Sequence, residues 1–308
     1  MNEILRAGVA GVGAIGKNHA RILAGLEGVK LAAIYDTDLA RAQELAALYN
    51  TVAVNSLDEF AAVIDAATVA VPTVFHREVA GALLERGKHV LVEKPISDKL
   101  SEAQELVALA AAKNLVLQVG HIERFNPVMR QLEERMSHPR FIESTRLSPF
   151  PNRSMDVGVV LDVMIHDLEI ILHLVRSPVV HVDAMGVAVL TKREDIANAR
   201  IRFANGCVAN VTASRVSQEK TRKIRVFQSE AYLSLDYQEQ TGHIYRREGM
   251  QLVREEVQVE KDEPLKLELA AFCECARRGA VPMVSGQQGT DALRLAIQIT
   301  EAIERNNQ

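Results

Sequence analysis

Apolar residues in roughly the first 120 positions fall into short runs separated by stretches with helical spacing. Strands are predicted at Ala7–Ala10 (the core of an apolar opening from Ile4), Leu31–Tyr35, Thr51–Val54, Thr68–Val71, His89–Val92 and Leu115–Val119. Between them the pattern predicts helices at Lys17–Leu26, Asp38–Tyr49, Leu57–Ala62, Val74–Arg86 and Ser101–Lys113, with Ser56 and Ser101 as caps. The strand runs are apolar throughout rather than alternating, which fits a parallel sheet covered on both faces. An α/β Rossmann domain with a doubly wound parallel sheet is the expected fold.

From about residue 139 the periodicity changes to strict alternation. Strands are predicted at Phe141–Leu147, Val179–Leu190, Asn198–Phe203, Cys207–Val216, Lys223–Phe227, Ala231–Leu235, Gly242–Arg246 and Gln251–Val259, with Asn205-Gly206 as a tight hairpin. Helices are expected at Pro127–Met136, Val159–Leu174, Pro264–Arg278 and Thr290–Asn307. This is the signature of an α+β domain with an open, mostly antiparallel sheet. The expected division is a cofactor-binding domain at 1–121 and a substrate-binding and oligomerisation domain at 122–308, the last helix packing back on the first domain. A sheet with one free face commonly associates through it, so a homo-dimer or homo-tetramer is expected.

The turn after the first strand carries specific chemistry. Gly11-Val12-Gly13-Ala14-Ile15-Gly16 leads into a helix, and the second strand ends at Asp36. Gly11 permits the tight turn, Gly13 lets the backbone approach a pyrophosphate, and Gly16 allows close helix packing. The helix N-terminus offers N–H groups to phosphates, and Asp36 would accept from the ribose hydroxyls. A carboxylate there repels a 2′-phosphate, and Arg41 is the only nearby cation, so NAD is expected rather than NADP.

Composition narrows the field further. The chain has 308 residues, 48% hydrophobic and 25% charged, enough for two ordinary cores. A formal net charge of −4 without a dense basic cluster argues against nucleic acid. No apolar run has membrane-spanning length and no leader pattern is visible, so a cytoplasmic protein without a membrane partner is expected. Cys207, Cys273 and Cys275 lack zinc spacing and read as reduced packing residues.

Two further segments stand out. Glu93-Lys94-Pro95 follows a predicted strand, at the sheet edge where open α/β folds bind ligands. Asp162 and His166 are four apart on a predicted helix, hence on one face, where imidazole can take a proton near neutral pH. Each also has a bland reading, as a loop lysine and a helix-surface pair. A zinc site using Asp162, His166 and His173 lacks a further ligand with convincing spacing, and no metal is expected.

Together these segments resemble the Gfo/Idh/MocA family of nicotinamide-dependent oxidoreductases. The resemblance runs through Gly11–Gly16 with Lys17-Asn18-His19, Val71-Pro72-Thr73 with His76, Glu93-Lys94-Pro95, Asp162 with His166, and Val284–Gly289. It implies cofactor contacts from Gly11, Gly13, Ala14, Ile15, Gly16, Asp36, Pro72, Thr73, His76, Glu93, Lys94 and His121. It implies hydride transfer from a sugar or polyol hydroxyl carbon, with Lys94, His166 and Asp162 as the catalytic set. Which of Lys94 and His166 is the base stays open. Gly120–Pro127 and Val160–Asp167 resemble the branch that oxidises UDP-N-acetylglucosamine at its 3-hydroxyl, whose 3-keto product feeds an aminotransferase in lipid A biosynthesis. For a UDP-sugar, Arg124, Asn126, Arg153, Asp162 and His166 are the expected substrate contacts, and Arg146 and Arg215 are further candidate cations. Arg124 is the favoured one. A free polyol such as an inositol is the alternative substrate, and a non-catalytic cofactor sensor the alternative class.

Overall fold

The computed structural model describes residues 4–150 and 157–306. The chain forms two compact units: the first runs to Ile122 and includes Glu263–Thr290, and the second comprises Glu123–Asp262 and the chain from Asp291.

In the first unit, strands and helices alternate as β1 (Leu5–Ala10), α1 (Gly16–Gly25), β2 (Val29–Tyr35), α2 (Leu39–Leu48), β3 (Val52–Val54), α3 (Leu57–Val63), β4 (Ala66–Val69), α4 (His76–Glu85), β5 (His89–Glu93), α5 (Leu100–Ala112) and β6 (Leu117–Gly120). The six strands form one sheet in the order β3-β2-β1-β4-β5-β6, parallel throughout. This is the doubly wound Rossmann order, with its switch point between β1 and β4. Both faces are covered, so β4 and β6 are buried at every position. Ser56 caps α3 by accepting from the Glu59 N–H, as expected. Ser101 caps nothing, because α5 begins at Leu100. β4 lies two residues earlier than its apolar pattern predicts: Val71 has left the ladder, and its carbonyl bonds His76 instead.

The second unit contains α6 (Pro127–Arg135), β7 (Phe141–Leu147), a π-turn at Val160–Met164 that runs into α7 (Ile165–Val175), then β8 (Val179–Val187), β9 (Ile196–Phe203), β10 (Val208–Ser214), β11 (Thr221–Phe227), β12 (Ala231–Asp236), β13 (Thr241–Glu248) and β14 (Gln251–Val257). Its sheet order is β14-β13-β12-β11-β7-β10-β9-β8, antiparallel except for the parallel pair β7–β10. Alternation is strict in β9, whose inward Ala197, Ala199, Ile201 and Phe203 join the core while Asn198, Arg200 and Arg202 face out. Gly206 turns the β9–β10 hairpin at φ +84°, and the Asn205 side chain accepts from the Cys207 N–H.

Two helices close the chain, α8 (Pro264–Arg278) and α9 (Gly286–Asn306). The sequence reading places α8 in the second domain, but Leu269, Phe272, Cys273 and Ala276 pack with Val9, Leu23 and Leu91 in the core of the first. α9 starts four residues before its expected Thr290 because Gly286 and Gly289 lie against β6, where a Cβ would come within 2.6 Å and 2.5 Å of Leu117 and Val119. Beyond that first turn it supplies Leu295, Ile299 and Ile303 to the core of the second unit.

Candidate active site

The glycine loop is shaped by what each residue would strike. Gly11 has φ +85°, and a Cβ there would lie 2.7 Å from the Val71 nitrogen. A Cβ on Gly16 would lie 1.8 Å from the Gly11 carbonyl oxygen, so the helix start touches the loop backbone directly. At Gly13 a Cβ would meet nothing within 4 Å, the open side that a pyrophosphate needs. Ala14 and Ile15 lead into α1, which has no capping side chain and no acidic residue in its first turn, so the positive end of its dipole is left to an anion. Asp36 closes the loop from β2, accepting from the Val12 N–H at 2.7 Å and the Asp38 N–H at 2.8 Å. The residues therefore fit a dinucleotide.

Lys94 follows the last residue of β5 and precedes Pro95 through a cis peptide bond. Its backbone N–H donates to Glu93 Oε2 at 3.3 Å. The Glu93 carboxylate is seated over Gly120 of β6, where a Cβ would come within 2.9 Å of Oε1. His19, fully buried on α1, places Nε2 3.2 Å from the same Oε1. The glycine loop, Asp36, Pro72, Thr73, Lys94 and His121 all follow the carboxyl ends of β1, β2, β4, β5 and β6, along one edge of the sheet.

His76 is a correction. It is buried, with Nδ1 2.8 Å from the Pro95 carbonyl and Nε2 3.0 Å from the Val71 carbonyl, so both ring nitrogens are engaged within the protein. It ties the exit of β4 to the Lys94–Pro95 segment through its ring nitrogens, which are therefore not open to a cofactor. Burial pulls its pKa below the usual histidine value, against the two carbonyl bonds that favour the charged form.

Asp162 and His166 belong to the second unit, on and just after the π-turn, which the Ile165 N–H closes onto the Val160 carbonyl. Both are half-buried, as are Leu161 and Val163, whereas Met164, Ile165 and Asp167 are buried. The turn is anchored by Glu194: its backbone carbonyl accepts from the Val159 N–H, and its carboxylate occupies the space a Gly158 side chain would take. Wide turns of this kind are frequent at functional sites.

The arginines are the larger correction. Arg124 is buried, bonds Glu169 at 2.8 Å and His173 at 3.1 Å, and lies 3.5 Å from Glu133. Arg146 is buried between Asp167 at 2.7 Å and Glu123 at 2.8 Å, and these two acids raise its pKa despite burial. Arg215 is wholly buried against Asp195, Thr191 and the Val157 carbonyl. Asn126 is likewise internal, capping α6 and donating to the Tyr237 carbonyl. None of these side chains is open to a diphosphate. Arg153 lies outside the described residues. Among those residues no group of three His, Cys, Asp or Glu side chains could hold a metal, and His173 bonds Glu133 and Arg124 instead.

Sequence reasoning gave no role to His19, and did not consider Glu268 at all. His19 ends the string after the glycine loop. Glu268 is hidden within the apolar spacing of α8.

Comparison with known proteins agrees with this geometry. Residues 5–121 match the model of an oxidoreductase family with an NAD-binding Rossmann fold, and residues 129–234 match the GFO/IDH/MocA C-terminal domain. The chain belongs to the Gfo/Idh/MocA family. It is therefore an oxidoreductase. Within the family it is similar to the UDP-N-acetylglucosamine 3-dehydrogenase of Acidithiobacillus ferrooxidans, 37% identical over 97% of both chains. The solved structure of that enzyme superposes with a TM-score of 0.94 over 99% of each chain. The scyllo-inositol 2-dehydrogenase (NAD(+)) of Bacillus subtilis is 25% identical over 98% of this chain and 95% of its own. A levoglucosan dehydrogenase in complex with NADH shares the fold at 18% identity, with a TM-score of 0.89 over 98% of this chain and 97% of its own.

Proposed function

We propose that this Gfo/Idh/MocA protein is an NAD-dependent dehydrogenase that oxidises the 3-hydroxyl of UDP-N-acetylglucosamine. The observation that carries the reading is full-length likeness to an enzyme named for that reaction, in a chain that carries the glycine loop and Lys94 at the strand ends of its first unit and Asp162 and His166 in its second. NAD rather than NADP is supported by Asp36 at the end of β2 and by Arg41, which pairs with Asp38 at 3.0 Å instead of standing free for a 2′-phosphate. When bound, NAD supplies the hydride acceptor. The N-terminal end of α1 and Gly13 would hold its pyrophosphate, and Asp36 would accept from the ribose. His166 takes the proton of the substrate hydroxyl, the Lys94 ammonium stabilises the negative charge left on that oxygen, and Asp162 orients the sugar. The 3-keto product is a substrate for an aminotransferase. The outward face of the eight-stranded sheet is taken by a second copy of the chain.

A free polyol is the second reading. It is favoured by the internal engagement of Arg124, Arg146 and Arg215, which removes three cations a diphosphate would use. Nicotinamide absorbance separates the two. Protein and NAD are mixed with UDP-N-acetylglucosamine, with N-acetylglucosamine, glucose and myo-inositol in parallel, and an aminotransferase with glutamate draws the equilibrium forward. Reduction with the UDP-sugar alone is expected. Reduction with myo-inositol alone would establish the second reading in its place.

A further inference from the structure

Strand register determines which side chains share the layer beneath α1 and α8. Val9, Thr68, Leu91 and Gln118 are direct neighbours across β1, β4, β5 and β6, so they point to one face of the sheet. Val9 and Leu91 on that row pack with Leu23 of α1 and Phe272 of α8. Thr68 and Gln118 therefore enter the same layer. So does Glu93, two residues beyond Leu91. His19 comes down from α1 beside the Glu93 carboxylate. Glu268 comes from α8, fully buried, its backbone carbonyl 3.5 Å from Gln118 Nε2.

Polar atoms in this layer are left over. Both carboxyl oxygens of Glu268, Thr68 Oγ1 and Gln118 Oε1 are buried without a hydrogen-bond partner among the described residues. Native interiors rarely keep such groups without a use for them. The titratable side chains placed in this layer are His19 from α1, Glu93 from β5 and Glu268 from α8, while β4 and β6 contribute neutral Thr68 and Gln118. Burial, and then the charge of Glu93, push the Glu268 pKa well above the ordinary carboxylate range.

We propose that Glu268 is a positioning residue for Lys94: with no donor for its carboxyl oxygens it stays neutral in this closed layer, leaves the single negative charge to Glu93, and so keeps Glu93 against His19 and the Lys94 backbone. Two carboxyl groups confined together cannot both ionise. A charge on Glu268 would drive Glu93 off its seat over Gly120, and Lys94, joined to Glu93 by the chain and by its own N–H, would move with it. The site is thus assembled while Glu268 holds its proton and loosens when that proton leaves, a role that rests on the reading of Lys94 given above.

Infrared difference spectroscopy at neutral pH, wild type against Glu268→Gln, is expected to show the carbonyl stretch of a protonated carboxyl group belonging to Glu268. Glu268→Leu serves the same comparison should the glutamine variant not fold. The pH profile of kcat tests the consequence. Glu268→Gln, neutral at every pH, is expected to sustain turnover further into the alkaline range than wild type. Glu268→Leu, equally unable to ionise, should show the same alkaline extension with Tm at or above wild type, because it removes a buried carboxyl that has no hydrogen-bond partner. A merely structural carboxyl would leave the alkaline limb unchanged in both variants. Superimposable profiles for wild type and Glu268→Gln would overturn the positioning role. Absence of the infrared band would also overturn it, and leaves the functional reading intact because the band needs no turnover. Lys94→Met with wild-type turnover would instead remove the functional reading.

Discussion

His166 and Arg124 are both side chains on which a sequence reading can place substrate chemistry, and their surroundings now separate them. His166 is only half-buried, and His166→Ala is expected to lower kcat about 10²–10⁴-fold while calorimetry finds NAD affinity unchanged. Arg124 instead neutralises Glu169 in the core. Arg124→Met strands a buried carboxylate and should cost about 3–5 kcal/mol, read as a fall in Tm. A raised KM for the sugar at undiminished Tm would return Arg124 to the substrate site. Glu169 adds a pH signature: burial, opposed by Arg124, raises its pKa to about 7. A carboxyl raised in the folded state contributes stability that is complete below its unfolded value and is lost as pH climbs through about 7. Glu169→Gln should therefore flatten the decline of Tm across that window, and a decline as steep as in wild type would count against this assignment.

At the level of elements, α8 is the clearest case of a helix that is evident in sequence but whose allegiance is not. Its amphipathic spacing shows that one face is buried, and nothing in that spacing says against what. Phe272 lies wholly within the core of the first unit. Phe272→Ala should destabilise that unit by about 3–5 kcal/mol, so that thermal melts followed with NAD lose the ligand-dependent shift at lower temperature. An unchanged melt would mean that α8 contributes little there. The strands were legible because apolar runs and alternation map directly onto two-sided and one-sided burial. The π-turn was not, since its period differs from that of an α-helix by less than five residues can reveal. The placement of the glycine loop, Asp36 and Lys94 at the strand ends was legible because apolar runs mark where β1, β2 and β5 stop. Which of the candidate arginines are structural was not legible, because their partners, Glu169, Asp167 and Asp195, come from distant chain positions and no local pattern marks them.

On the scale of the whole molecule, the outward face of the eight-stranded sheet is the surface through which we propose that copies of the chain associate. Phe141, Phe227, Tyr232 and Tyr245 form a cross-strand row on that face, with ring centroids 5.7, 5.1 and 4.3 Å apart in turn. Beside it lie Met250, 98% exposed, and Leu252, 66% exposed. Apolar and aromatic surface in such a row is the kind that associates. Light scattering is expected to report a dimer or tetramer, and Tyr232→Asp to shift the population towards monomer. A wild-type protein of monomer mass would remove this face as an interface. Among the described residues no helix is long and apolar enough to cross a membrane.

The passage of the chain from the first unit into the second and back at Glu263 also bears on how the protein is made. Domains generally fold in the order of synthesis, amino-terminal part first. Here all six strands of the nucleotide-binding sheet leave the ribosome while Leu269 and Phe272, which complete its core, still lie behind the whole of Glu123–Asp262. A nascent chain halted before α8 carries every residue of the glycine loop and cannot finish the layer beneath it. The half begun first is therefore completed after the inserted half has emerged, and the capacity to hold a dinucleotide arises late in the life of the nascent chain.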